Sequence, residues 1–163
     1  MGRPLQLHGH GTRERQVCGP AEPTAPATMV GIQARRYLCV VCAAVLLVVP
    51  REMLAGRRYS ASAIGFALAL WGLVLATAAE VRRRVSPQTL LGFAGIRTWV
   101  TLRRWARAVR EGSLFPDAPR LAGSATLRQV AASAASACAA SADPMTRHLP
   151  LEHRAFFGAA HAA

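Results

Sequence analysis

Twenty consecutive residues, Ser60 to Ala79, carry no charge, and this stretch constrains the chain more than any other feature. As a helix rising about 1.5 Å per residue it reaches the ~30 Å of a bilayer core. The competing arrangement is a helix buried on all sides within protein. A chain of 163 residues with a net charge of +12 offers little material to build that cover. The stretch therefore predicts a transmembrane helix over 60–79.

A second apolar block runs from Tyr37 to Val49, between Arg35–Arg36 and Pro50–Arg51–Glu52. It is too short to span unaided, at roughly 20 Å of helix against a core of ~30 Å. It spans if the helix continues to Ala55 with Arg51 snorkelling, or it is re-entrant. A third reading starts translation at Met29 and makes Tyr37–Val49 the apolar core of a secretory signal. Residues 1–36 ahead of it are rich in Gly and Pro and read as a disordered or presequence-like leader.

The expected fold class is thus an all-α membrane protein. It has one or two transmembrane helices, a helical hairpin if both blocks span, over a membrane region 37–84. A basic amphipathic helix follows within 85–111, with Ser86 and Pro87 as its N-cap and first-turn pair. Residues 112–163 supply a loop, an Ala/Ser-rich helix from Ala125 to Ala142, and a tail without clear period. Arg82, Arg83 and Arg84, followed by Arg97, Arg103, Arg104, Arg107 and Arg110, outnumber Arg51, Arg57 and Arg58 between the blocks, so the positive-inside rule places the C-terminal side in the cytosol or its equivalent.

Two groups of residues are candidate contact sites. Gly65, Ala69, Gly72 and Ala76 form a narrow stripe of small side chains, which lets another helix backbone approach closely in lipid. Nine of the 20 residues from Ser60 to Ala79 are Gly or Ala, so chance is the competing account. In the basic helix, Trp99 and Trp105 share a side with Leu102, Ala106 and Val109, while Arg103, Arg104, Arg107 and Arg110 lie opposite. With Arg82, Arg83 and Arg84 these residues have the composition of a helix lying among headgroups, tryptophans at the interface and arginines on phosphates. Docking to a protein partner is the second reading of that face. Nucleic acid is the least favoured, because the helix follows so closely on a membrane span.

All the basic side chains are arginine, with neither lysine nor asparagine present, a bias a GC-rich gene produces by itself. Cys39 and Cys42 make a Cys-x-x-Cys pair, but inside an apolar membrane run they read as small packed hydrophobes, because a thiolate there is costly. The five histidines lack metal-ligand spacing, and neither a phosphate loop nor paired acids on one face appears. No cofactor, metal or catalytic residue is implied.

These features predict a non-catalytic accessory, structural or assembly subunit of a larger membrane complex, with anionic lipid headgroups and other complex subunits as partners. The composition favours the mitochondrial inner membrane over a secretory-pathway membrane. The alternative is a membrane-anchored regulator or adaptor of the secretory pathway that docks through Arg82–Arg110. A further alternative is an open reading frame not selected for a folded product.

Overall fold

Ser60 stands in extended backbone and its hydroxyl accepts the Ala63 N–H at 3.1 Å, which caps the start of a helix. In the computed structural model, which describes residues 6–88 and 99–163, this helix (α1) covers Ala61–Gly72 and every residue from Ala61 to Trp71 is buried. It ends early. Leu73 still bonds back to Ala69, but Leu75 takes a left-handed φ of 61°, and the Ala76 N–H turns back to the Leu70 carbonyl at 2.9 Å. Thr77 and Glu80 then form a reciprocal capping box that opens α2, Ala78–Val85, in a new direction.

Twelve residues give about 18 Å of helix, and no helix among the described residues is long and apolar enough to cross a membrane. The expectation of an all-α membrane protein is overturned: the architecture is mixed α/β. The transmembrane helix over 60–79, the spanning hairpin and the integral-membrane placement, mitochondrial inner or secretory, fall with it.

The cover that the chain's size argued against comes from the small residues themselves. A Cβ added at Gly72 would stand 2.7 Å from Ala132 Cα and 2.9 Å from Ala131 C, both in helix α4, Leu127–Ala140. One added at Gly65 would stand 2.9 Å from the Ala155 carbonyl oxygen of α5, Leu151–Gly158. Backbones in near contact need less side-chain volume between them than the usual 8–10 Å spacing of helices requires. The Ala/Ser-rich α4 fits the same scheme, burying Ala131, Ala134, Ala135, Cys138 and Ala139. Of the small-residue stripe, Gly65 and Gly72 thus meet helices of the same chain, Ala69 is fully buried, and Ala76 packs half-buried against the core.

The residues read as a leader form strands. Leu7–Pro20 (β1) and Ala27–Cys39 (β2) make a long antiparallel hairpin, in register from Thr12↔Arg35 to Pro20↔Ala27, with an irregularity between Gly9 and Thr12. Val45–Val48 (β3), from the first apolar block, pairs with Arg35–Leu38, giving the order β1-β2-β3. The spanning and re-entrant readings of Tyr37–Val49 required helix, and none forms there: the stretch carries the end of β2, a turn and β3. The hairpin joins the helical layer at its Cys18 end: Cys18 donates to the Arg58 carbonyl at 2.7 Å and accepts from the Ser60 N–H at 3.2 Å.

The basic helix is present as α3, Val100–Arg110. Its expected earlier part, residues 89–98, lies outside the described residues. Ser86 ends α2, its N–H donating to the Arg82 carbonyl at 2.8 Å, while its Oγ accepts the Gln88 N–H at 3.4 Å. A 3-10 turn, Pro144–His148, precedes α5 in what read as a tail without period.

Candidate functional site

Three elements that the fold brings together enclose the cleft with the clearest chemical character. Arg57, Arg58 and Tyr59 come from the approach to α1; Arg82, Ser86 and Gln88 come from the end of α2 and the residues beyond; Trp99, Val100, Thr101, Arg104 and Trp105 come from the start of α3. The cleft holds about 580 Å³, with Gly56 at its rim and the buried Cys18 at its floor. Among the described residues it is lined by four arginines and no acid. An adjoining hollow shares Gly56 and Arg58 with it and adds Arg13, Glu14, Arg15 and Gln16 from β1.

Its walls are fixed by three aromatic rings packed edge to face. Tyr59 lies 5.9 Å from Trp99 and 5.0 Å from Trp105, and the two tryptophans are 5.1 Å apart, with interplanar angles of 70°, 76° and 80°. Such pairs gain beyond their buried area from the match of positive edge to negative face. The Tyr59 hydroxyl donates to Ser86 Oγ at 2.9 Å, tying the approach to α1 to the end of α2. Arg58 is held toward β1 by its bond to Gln16 Oε1 at 3.2 Å, and Arg82 donates to the Gln88 carbonyl at 2.8 Å.

The first turn of α3 also faces this space. Trp99 occupies the N-cap position without a side-chain hydrogen bond to the helix, and its carbonyl accepts the Leu102 N–H at 3.1 Å; the positive end of the helix dipole lies at this turn. Val100 and Thr101, in that turn, line the cleft beside Arg104. Guanidinium groups gathered around one concavity beside the first turn of a helix suit anionic oxygens.

Neither titratable group at the floor and wall is activated. Burial pushes the Cys18 thiol up from its ordinary range, only partly opposed by Arg58. Burial also raises the Tyr59 phenol, against the hydrogen bond from its hydroxyl to Ser86 and the charges of Arg82 and Arg58. Both stay protonated at neutral pH and act as packing and hydrogen-bonding groups.

Of the nine residues expected at a lipid interface, the structure gathers Arg82, Trp99, Arg104 and Trp105 at this cleft. Arg103 lines a separate hollow with Arg128 and Trp71. The exposed Arg83, Arg84, Arg107 and Arg110 line neither; Arg84 donates to the Pro23 carbonyl at 3.2 Å and Arg110 to the Ala125 carbonyl. Trp99 and Trp105 are 8% and 3% exposed, so the apolar side of α3 faces the protein's own core. Glu80, four residues before Arg84, accepts from Thr77 in the capping box.

Sequence reasoning passed over Arg57, Arg58, Tyr59, Ser86 and Thr101. The signal present was the Arg57–Arg58–Tyr59 run directly before the uncharged stretch, which reads as a flank if that stretch is a span. No protein-family model, no curated protein and no solved structure matches this chain.

Proposed function

We propose that the chain is a non-catalytic docking protein that holds an acidic segment of a protein partner in the cleft between α1, α2 and α3. The observation that carries this reading is the convergence of Arg57, Arg58, Arg82 and Arg104, with no acid among the described lining residues, around the first turn of α3. Each guanidinium offers a fork of donors matched to carboxylate or phosphate oxygens. A protein occupant is favoured over a lipid surface because the site is concave and because Trp99 and Trp105 are buried. Insertion among headgroups needs exposed apolar side chains beside the basic ones.

Fluorescence anisotropy of a labelled Asp/Glu-rich peptide, titrated with the purified chain, tests the reading. Arg58→Ala and Arg104→Ala should each weaken binding roughly tenfold, as expected for one charge-assisted hydrogen bond. Arg147→Ala removes an exposed arginine that does not line the cleft and should change binding less than twofold, roughly the scale of a screened surface charge. Equal losses in all three variants would mean that net charge, and no particular site, attracts the peptide.

A further inference from the structure

Cys39 ends β2 and Cys42 lies in the short connection to β3. With helix excluded here, the cost of ionising a thiol inside an apolar span no longer applies to the pair. The connection is a closed turn: the Ala43 N–H donates to the Cys39 carbonyl at 2.8 Å, and the Cys39 N–H donates to the Ala44 carbonyl at 2.9 Å. Ala43 adopts a left-handed φ of 57°, which reverses the chain so that Val45 can pair with Leu38. Residues i and i+3 of a closed turn come within about 7 Å at Cα, the span that a disulfide bridges.

The two thiols have complementary settings. Cys42 is exposed, whereas Cys39 is buried within the turn. Hydrogen bonds from the backbone N–H groups of Cys42 and Val41, then from the Cys42 side chain, hold the Cys39 thiol below its ordinary range. Among the described residues no group of three or more His, Cys, Asp or Glu side chains stands together as metal ligands.

We propose that Cys39 and Cys42 form a redox-active dithiol, closed to an intrachain disulfide by exchange with a small-molecule disulfide of the glutathione type. Cys42, the accessible thiol, loses its proton and attacks one sulfur of the oxidant. The oxidant's S–S bond breaks, and the first thiolate leaves and takes up a proton. Cys39 then loses its proton and attacks the Cys42 sulfur of the mixed disulfide, expelling the second thiolate. Two protein thiols are oxidised to one disulfide while one small-molecule disulfide is reduced to two thiols. The product links the end of β2 to the middle of the connection to β3.

Trypsin cuts after Arg36 and Arg51, and the peptide Tyr37–Arg51 contains Cys39 and Cys42 without Cys18 or Cys138. The folded full-length chain is treated with oxidised glutathione, blocked with a maleimide, digested and weighed by mass spectrometry. The expected product is this peptide lighter by two hydrogens and carrying no maleimide. It should exceed the glutathione adduct by roughly tenfold, because the second attack is intramolecular at high effective concentration. In Cys39→Ser the adduct on Cys42 should accumulate instead. A wild-type peptide that carries maleimide on Cys42 with Cys39 still reduced, or that stops at the adduct, overturns the proposal. The ratio of products in the wild-type chain separates these outcomes whether or not the variant folds. Lack of maleimide on the buried Cys18 and Cys138 reports that the chain was folded during the reaction.

Discussion

Gly72 illustrates how single atoms govern this molecule. Its missing Cβ is where the α4 backbone at Ala131 and Ala132 passes, and both contacts are backbone, so no flexible side chain can move aside. Gly72→Ala should therefore lower stability by about 1–3 kcal/mol through overpacking, read as a shift of the denaturation midpoint. Gly123→Ala, at a position with nothing within 4 Å, should stay near neutral. Equal effects at the two glycines would mean that α1 and α4 do not meet there. The stripe containing Gly72 was legible in the sequence as a surface for close helix approach. Which helix approaches was not, because small residues state how near a neighbour comes and nothing of which neighbour it is. Tyr59 and Ser86 show a related limit, since their hydrogen bond joins positions 27 residues apart that only the fold makes adjacent.

Among the elements, α3 and α4 were the most readable. The side of α3 bearing Leu102, Trp105, Ala106 and Val109 is the buried one, and α4 occupies Leu127–Ala140 inside the expected Ala125–Ala142. Trp105→Ala should cost about 3–5 kcal/mol, the range for a large core aromatic, and should open the wall of the cleft as well. Thr126→Ala removes the hydroxyl that accepts the Gln129 N–H at 3.3 Å and should cost about 1 kcal/mol. The strands were illegible for a physical reason. Much of β1 and the first part of β2 is exposed, so no alternation of apolar and polar residues marks a buried face. The start of α2 adds a pH dependence. Hydrogen bonds from the Thr77 side chain, then its backbone N–H, hold the Glu80 carboxyl below the usual range. A carboxyl depressed in the folded state stabilises above its unfolded pKa and loses that contribution as pH falls through the folded pKa. Protection factors of the amides in the first turn of α2 should fall across that acid window in the native chain, and the change should be absent in Glu80→Gln, which lacks the titrating group.

At the scale of the whole molecule, the uncharged stretch is the centre of a core to which α2, α3, α4 and α5 contribute, and the sheet adjoins α1 at its Cys18 end. The length and apolarity of Ser60–Ala79 were legible, but its interruption was not. No Pro stands between Gly72 and Ala78, and the break lies in the left-handed backbone of Leu75 and the capping box at Thr77. With the break in place, part of the net charge of +12 is gathered in the arginine cleft. Acidic-peptide binding there should weaken as salt rises, since exposed guanidinium groups are screened over about 10 Å at 0.1 M ionic strength. The interior position of α1 is the central claim, because the placement of every cleft residue follows from it. Residue-resolved amide hydrogen exchange on the intact chain tests it most directly. The amides from Ile64 to Leu70 should be among the slowest in the molecule, and protection should collapse at Leu75, which is 62% exposed. One unbroken block of protection from Ala61 through Ala79, with no gap at Leu75, would contradict it.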